Sequence, residues 1–387
     1  MRVATLLLLL LPLAHAHAAD LRIDSIHLVG RAGVDAPWTA GPTEALLADA
    51  PELAVVALGR LDGRRVLVAD AVEPLAAPKP RGPVVPWPDG VSVRWATVEP
   101  HAWREPEAVA PNGVTTRYHS NVHMDRDRFG KWAGYDEVTY FESPLPDLDD
   151  LRRIPAVVRP TDPTAPSFGG LGTIRYRVEV TLPDGTTRAT PGASDRDHYG
   201  IRESVHRVSV RRDDTFTGWL SSYFLVPEVF GSSGPGKNHQ TDRYVGADCA
   251  DVLTGALRAA GYRIEHSHVA GLTKLAAVVA GPVDLDDEGN PPTAITGVQV
   301  GDVIRIDYGG ALSGHTPRSW DHVAVLWEDR SDPESPAKGA PDGHLDGYDL
   351  VVHMGHPRLV IEPLANQCPA RVDVLRWSPK RLGKARR

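Results

Sequence analysis

Proline and glycine interrupt this chain so often that no long helix can run through it: thirty-four prolines and thirty-six glycines are spread over 387 residues. Each proline fixes φ and removes a backbone donor, and each glycine favours a turn. A chain cut in this way is expected to be rich in loops and short strands rather than a helical bundle. Its length suits two domains, or three. With 42% hydrophobic and 24% charged residues it has the apolar material for ordinary globular cores.

The first residues bear on compartment. Arg2 supplies a positive start, Leu6 to Leu11 with Pro12 and Leu13 an apolar run, and Ala14 to Ala19 small residues at cleavage spacing. Residues 1–19 therefore read as a secretory signal peptide, with an apolar run too short to span a bilayer. No cysteine follows it to carry a lipid anchor, and no later stretch is long enough to span a membrane. The mature protein is expected to be soluble and exported, secreted or periplasmic. A net charge of −8 argues against a general nucleic-acid binder. The basic run Lys380, Arg381, Lys384, Arg386 and Arg387 reads as a solvated tail.

Residues 20–212 read as a β-rich, sandwich-like region. Leu53 to Leu58 and Val66 to Val68 flank Asp62-Gly63, a dipeptide suited to a tight hairpin. Val91 to Trp95 alternates apolar and polar residues, as do Ile174, Tyr176, Val178 and Val180, and Val205, Val208 and Val210 suggest a further strand. The proline-rich stretch 78–88 is either a linker, which would make 20–77 a separate unit, or an extended edge. Both readings stand.

From about residue 213 to 387 the character changes. Val252, Leu253, Ala256, Leu257 and Ala260 fall at helical spacing after Asp248, a good N-cap, and Gly261 stops the run. Strand-like runs follow at Val303 to Tyr308, Val323 to Trp327 and Leu350 to Val352. One helix followed by antiparallel strands is an α+β layout.

The chemistry centres on Cys249, in the first turn of that helix. Unpaired N–H groups and the helix dipole favour an anion there, which lowers a thiol's pKa, and the same N–H groups could hold an oxyanion. His322 opens one strand and His353 closes another, so both imidazoles can reach one end of a sheet. The competing reading is one structural disulfide between Cys249 and Cys368, the only two cysteines.

In order along the chain stand Val226-Pro227-Glu228-Val229-Phe230-Gly231-Ser232, Gly246-Ala247-Asp248-Cys249-Ala250-Asp251-Val252, Gly301-Asp302-Val303-Ile304, Asp321-His322-Val323-Ala324-Val325 and Val351-Val352-His353. Over about residues 216–365 this order resembles the NlpC-type family of cell-wall cysteine peptidases. The resemblance implies a papain-like C-terminal domain with Cys249 as nucleophile, His322 as general base and His353 as its orienting residue. It implies hydrolysis of an amide bond in peptidoglycan stem peptides, or another cell-wall peptide, without metal or cofactor. Asp248 and Tyr244 are the candidate substrate-binding residues, Tyr244 as a stand-in for the tyrosine that Glu228 replaces. The chain departs from the family pattern at Ala250-Asp251, where Ser-Gly is usual, and in the long stretch Asp329 to Gly347.

Two rival readings follow from these departures and from the histidines. One is a catalytically inactive cell-wall-binding module on the same fold. The other is a metal-dependent hydrolase using N-terminal histidines. His119 and His123 have zinc-binding spacing for a helix, but their neighbours read as strand or loop. Asp284, Asp286 and Glu288 loosely mimic a calcium loop, but Ile295 stands where its closing glutamate belongs.

Overall fold

The computed structural model describes residues 21–383 apart from 71–74, 78–81, 101–107, 110–114, 117–120, 125–133, 139, 162–166, 198–199, 230, 234–239, 310–319, 336 and 356. The expected leader, His119 and the His123 side chain lie outside the described residues. Strands dominate, gathered into several sheets with a few short helices. Among the described residues no helix is long and apolar enough to cross a membrane.

Two sheets share the first core. One is built on Leu21–Arg31, Glu52–Leu61 and Arg64–Val68; the other on Ser92–Pro100, Gly172–Thr181 and His206–Arg211. Asp62 and Gly63, at φ 50° and 78°, make the hairpin that sets Leu61 opposite Arg64, the positive-φ turn that matches strand twist. A register shift between Ile23 and Ser25 keeps Ile23, Ile26 and Leu28 on one face. That face meets Val93, Trp95, Ile174, Tyr176, Val178, Val180, Val208 and Val210 from the second sheet, the alternation of strands half-buried between two layers. Val84–Val85 lies along the first sheet's edge, paired parallel with Arg64–Val68. Strands on either side of it in sequence fill the same core.

The chain leaves the second sheet through a buried helix, Phe216–Ser221, capped by the Thr215 side chain, which accepts from the Gly218 N–H. It then enters a six-stranded antiparallel sheet ordered Ala276–Leu285, Ala370–Trp377, Val303–Asp307, His322–Glu328, Leu350–Met354, Leu359–Pro363. Both faces are covered. On one, Val303, Val323, Val325, Val352 and Leu375 pack with Val252, Leu253 and Ala256 of the helix Cys249–Ala259. On the other, Ile304, Ile306, Ala324, Leu326, Val351, Val372 and Val374 pack with Leu285, Ile295, Val298, Leu345 and Leu364. The long stretch after Glu328 contributes to this second layer, since His344–Leu345 pairs with Ile295–Thr296.

Gly255 sits mid-helix, where glycine costs about 1 kcal/mol relative to alanine. A Cβ there would stand 2.5 Å from Thr241 Cγ2 and 2.7 Å from the Tyr223 hydroxyl. The glycine lets the Cys249 helix lie hard against the loop that precedes it.

Candidate active site

Cys249 opens its helix as expected, with Asp248 as N-cap: one carboxylate oxygen accepts from the N–H groups of Ala250 (3.0 Å) and Asp251 (2.8 Å), the other from Gly231 (3.2 Å). Asp248 is thus engaged with backbone on both oxygens, which ties the helix start to the preceding loop. It also occupies two of the helix-start donors that could have held an oxyanion. Both cysteines are free. Cys368 packs against the core on the sheet's other face, its thiol donating to the Leu364 carbonyl (3.5 Å).

The thiol is not the ready thiolate that its helix position suggests. Burial first, then the charges of Asp248, Asp251 and Glu228, push it well above its ordinary pKa, against one favourable backbone N–H at Ala250. A helix terminus is worth about 0.3–1 kcal/mol to an anion at an exposed position, and desolvation among carboxylates outweighs it. Burial and the Asp251 charge likewise push Asp248 up to about 8.

Asp251 itself is neutralised from the other side. It accepts from Ser232 Oγ (3.0 Å) and Ser233 N–H (2.9 Å) and lies 3.5 Å from His266 Nδ1. The His266 side chain is 7% exposed, and its Nε2 is 3.3 Å from Asp242, which also takes Arg258. Burial alone would lower His266; its bonds to Asp242 and Asp251 outweigh burial and hold it up to about 9. A buried imidazolium between two aspartates therefore clamps the loop to the Cys249 helix.

A second histidine group lies across the sheet strands. His322 Nε2 and His353 Nδ1 are 2.9 Å apart, their rings edge to face. His353 Nε2 is 2.8 Å from Glu362 Oε1, on the next strand. Glu362 also accepts from Gln367 Nε2 (2.6 Å) and Asn366 Nδ2 (2.9 Å), and the Tyr308 hydroxyl donates to Gln367 Oε1. Tyr308 stacks on His322 with centroids 6.2 Å apart. Burial, then the neighbouring His353, pushes His322 down to about 3.

Strand alternation decides how the two groups relate. His322 is in phase with Ala324 and Leu326, which face away from the Cys249 helix; Val323 and Val325 lie beneath it. His322 stands first in its strand, so any approach to the thiol runs around the sheet's end. Among the described residues no hydrogen bond joins Cys249 to His322. Burial, then the charges of Cys249, Glu362 and Asp321, raise the pKa of Tyr308, whose ring is stacked toward His322.

Tyr244 is not at this site. It is 3% exposed, stacked on Tyr223, capped by Arg207, with its hydroxyl 3.1 Å from Ser222 Oγ. It is used in the packing between the sandwich and the module. Glu228 does border the site, since its charge bears on Cys249. A cavity lined by Thr217, Gln299, Asp302 and Trp377 lies at the opposite end of the sheet from His322. Asp286 caps its own turn, accepting from Glu288 and Asn290 N–H groups. Among the described residues no three His, Cys, Asp or Glu side chains are grouped to hold a metal ion. Comparison with protein-family models, curated proteins and solved structures returned no match.

Proposed function

We propose that the chain is an exported cysteine hydrolase whose C-terminal module, on a papain-like fold, cleaves an amide bond in peptidoglycan stem peptides. One observation carries the reading: a cysteine at a helix start packs on a sheet whose strand opens with His322, and that imidazole's Nε2 is engaged by His353 at 2.9 Å. Nδ1 is then the atom that can take a proton from sulfur. Thiol and imidazole both stand neutral at pH 7, so the reaction does not start from an ion pair. His322 takes the thiol proton as sulfur attacks the carbonyl, and returns it to the leaving amine as the C–N bond breaks. Water then attacks the thioester, again through His322. The Cys249 N–H is the helix donor nearest the developing oxyanion.

The raised thiol and the lack of a bond from Cys249 to His322 favour a second reading, a module that binds wall peptide without cleaving it. Peptide release from purified peptidoglycan separates the two. Hydrolysis by the wild type, insensitive to chelator and lost in Cys249→Ala, is the expected result. Binding without release by either protein would favour the second reading. Release that survives Cys249→Ala but not a chelator would contradict the thiol mechanism.

A further inference from the structure

Glu362 is the end of a chain of hydrogen bonds whose sense follows from chemistry. An ionised carboxylate only accepts. Burial would raise Glu362, but bonds from Asn366, His353 and Gln367 outweigh it and hold the carboxyl below its ordinary range. Its partner at 2.8 Å, His353 Nε2, must therefore carry the proton. In the neutral ring that leaves Nδ1 of His353 bare, and a bare Nδ1 at 2.9 Å from His322 Nε2 requires the N–H there. His322 Nδ1 is then the bare nitrogen. Gln367 Nε2 donates to Glu362 at 2.6 Å and lies 3.3 Å from His353 Nε2; that contact is longer than the 2.8 Å from His353 Nε2 to Glu362, so the carboxylate remains the partner that sets the proton there.

We propose that Glu362 is a positioning residue: acting through His353, it fixes the tautomer of His322 so that Nδ1 is the proton acceptor. The inference rests on the hydrolase reading for its catalytic consequence, but the tautomers themselves do not depend on it. The clamp on Glu362 is built for the task. Asn366 fills one oxygen and Gln367 shares the other with His353, so the carboxylate cannot rotate to offer a different geometry. The Tyr308 ring against His322 and its hydroxyl on Gln367 close the loop, setting the ring plane as well as the proton. Outer partners that orient a metal-bound imidazole are worth about 10- to 100-fold in function, and the same scale is expected for an imidazole acting as a base.

The test is long-range proton–nitrogen NMR on the full chain labelled with 15N-histidine, assigned through His322→Gln and His353→Gln. The wild type should show both protons on Nε2. Glu362→Ala should populate the Nδ1–H form of both rings, and Glu362→Gln should restore part of the wild-type pattern, since its amide oxygen still accepts. With purified peptidoglycan as substrate, Glu362→Ala should lower kcat about 10- to 100-fold with KM nearly constant. The Glu362 side chain is 27% exposed, so the fold should tolerate these changes, and thermal unfolding checks that. Unchanged tautomers in a folded Glu362→Ala protein would overturn the proposal. A wild type that hydrolyses nothing would overturn the hydrolase reading alone, with the spectra still deciding the role of Glu362.

Discussion

His266 and His322 are both partly buried, both belong to the module that carries Cys249, and both bond to polar partners, yet one is held up to about 9 and the other down to about 3. The difference lies in what each ring touches. His266 lies within 3.3 and 3.5 Å of two aspartates, and their charges repay its desolvation. His322 meets another imidazole, and the nearest carboxylate of that network, Glu362, is one ring further away. Direct contact with carboxylates makes a cation at neutral pH that holds structure. A carboxylate at one remove orders protons without charging the ring, which leaves one ring nitrogen free to accept.

The largest effect expected from this contrast is on catalysis at the His322 group. His322→Gln should lower peptide release about 10²- to 10⁴-fold, the usual share of a general base, and leave the unfolding temperature nearly unchanged. A large fall in stability without a fall in turnover would reverse the two assignments.

His266 should behave the opposite way. His266→Ala leaves the buried Asp251 without its cation while Asp242 keeps Arg258, and the loss of stability should be about 3–5 kcal/mol in denaturant unfolding. The pH dependence carries the same signature. His266 is raised in the folded state, so its contribution is fully present below about pH 6.5 and lost as pH rises through about 9. Wild-type stability should fall by about 3 kcal/mol over that window, and His266→Gln should flatten the profile. His322 stays neutral throughout, so thiol reactivity should instead climb with pH.

The smallest effect concerns Glu228. Its charge is one of three that hold the Cys249 thiol up. Glu228→Gln should raise the rate of Cys249 alkylation by iodoacetamide at pH 8 about three- to ten-fold. Cys368, whose thiol is raised to about 11 chiefly by burial and then by Asp286 and Asp287, should not respond. Equal acceleration of both cysteines would mean a general loosening.

These contrasts also mark what could be read in the residues alone. The Cys249 helix, its Asp248 cap and the strands opening at His322 and closing at His353 are local patterns, and the structure shows them within a residue or two. The strand Ala276–Leu285 was hidden because Gly281-Pro282 breaks its alternation and its register shifts twice. Glu362 reaches His353 through a pairing that sets His353 opposite Val360, a long-range fact with no local sign. The His266 clamp likewise needs the loop carrying Asp242 to fold back onto the helix. Sequence places Tyr244 near the motif without saying which way its hydroxyl points; here it turns inward to Ser222.

What the mechanism needs above all is that sulfur and imidazole meet around the end of the sheet. Reaction of the full chain with 1,3-dibromoacetone, followed by peptide mapping, asks this directly, because the reagent's two arms bridge only a thiol and a nucleophile a few ångströms away. The account predicts a peptide in which Cys249 is joined to His322. Cys249 alkylated on one arm alone, or bridged to some other residue, would contradict it.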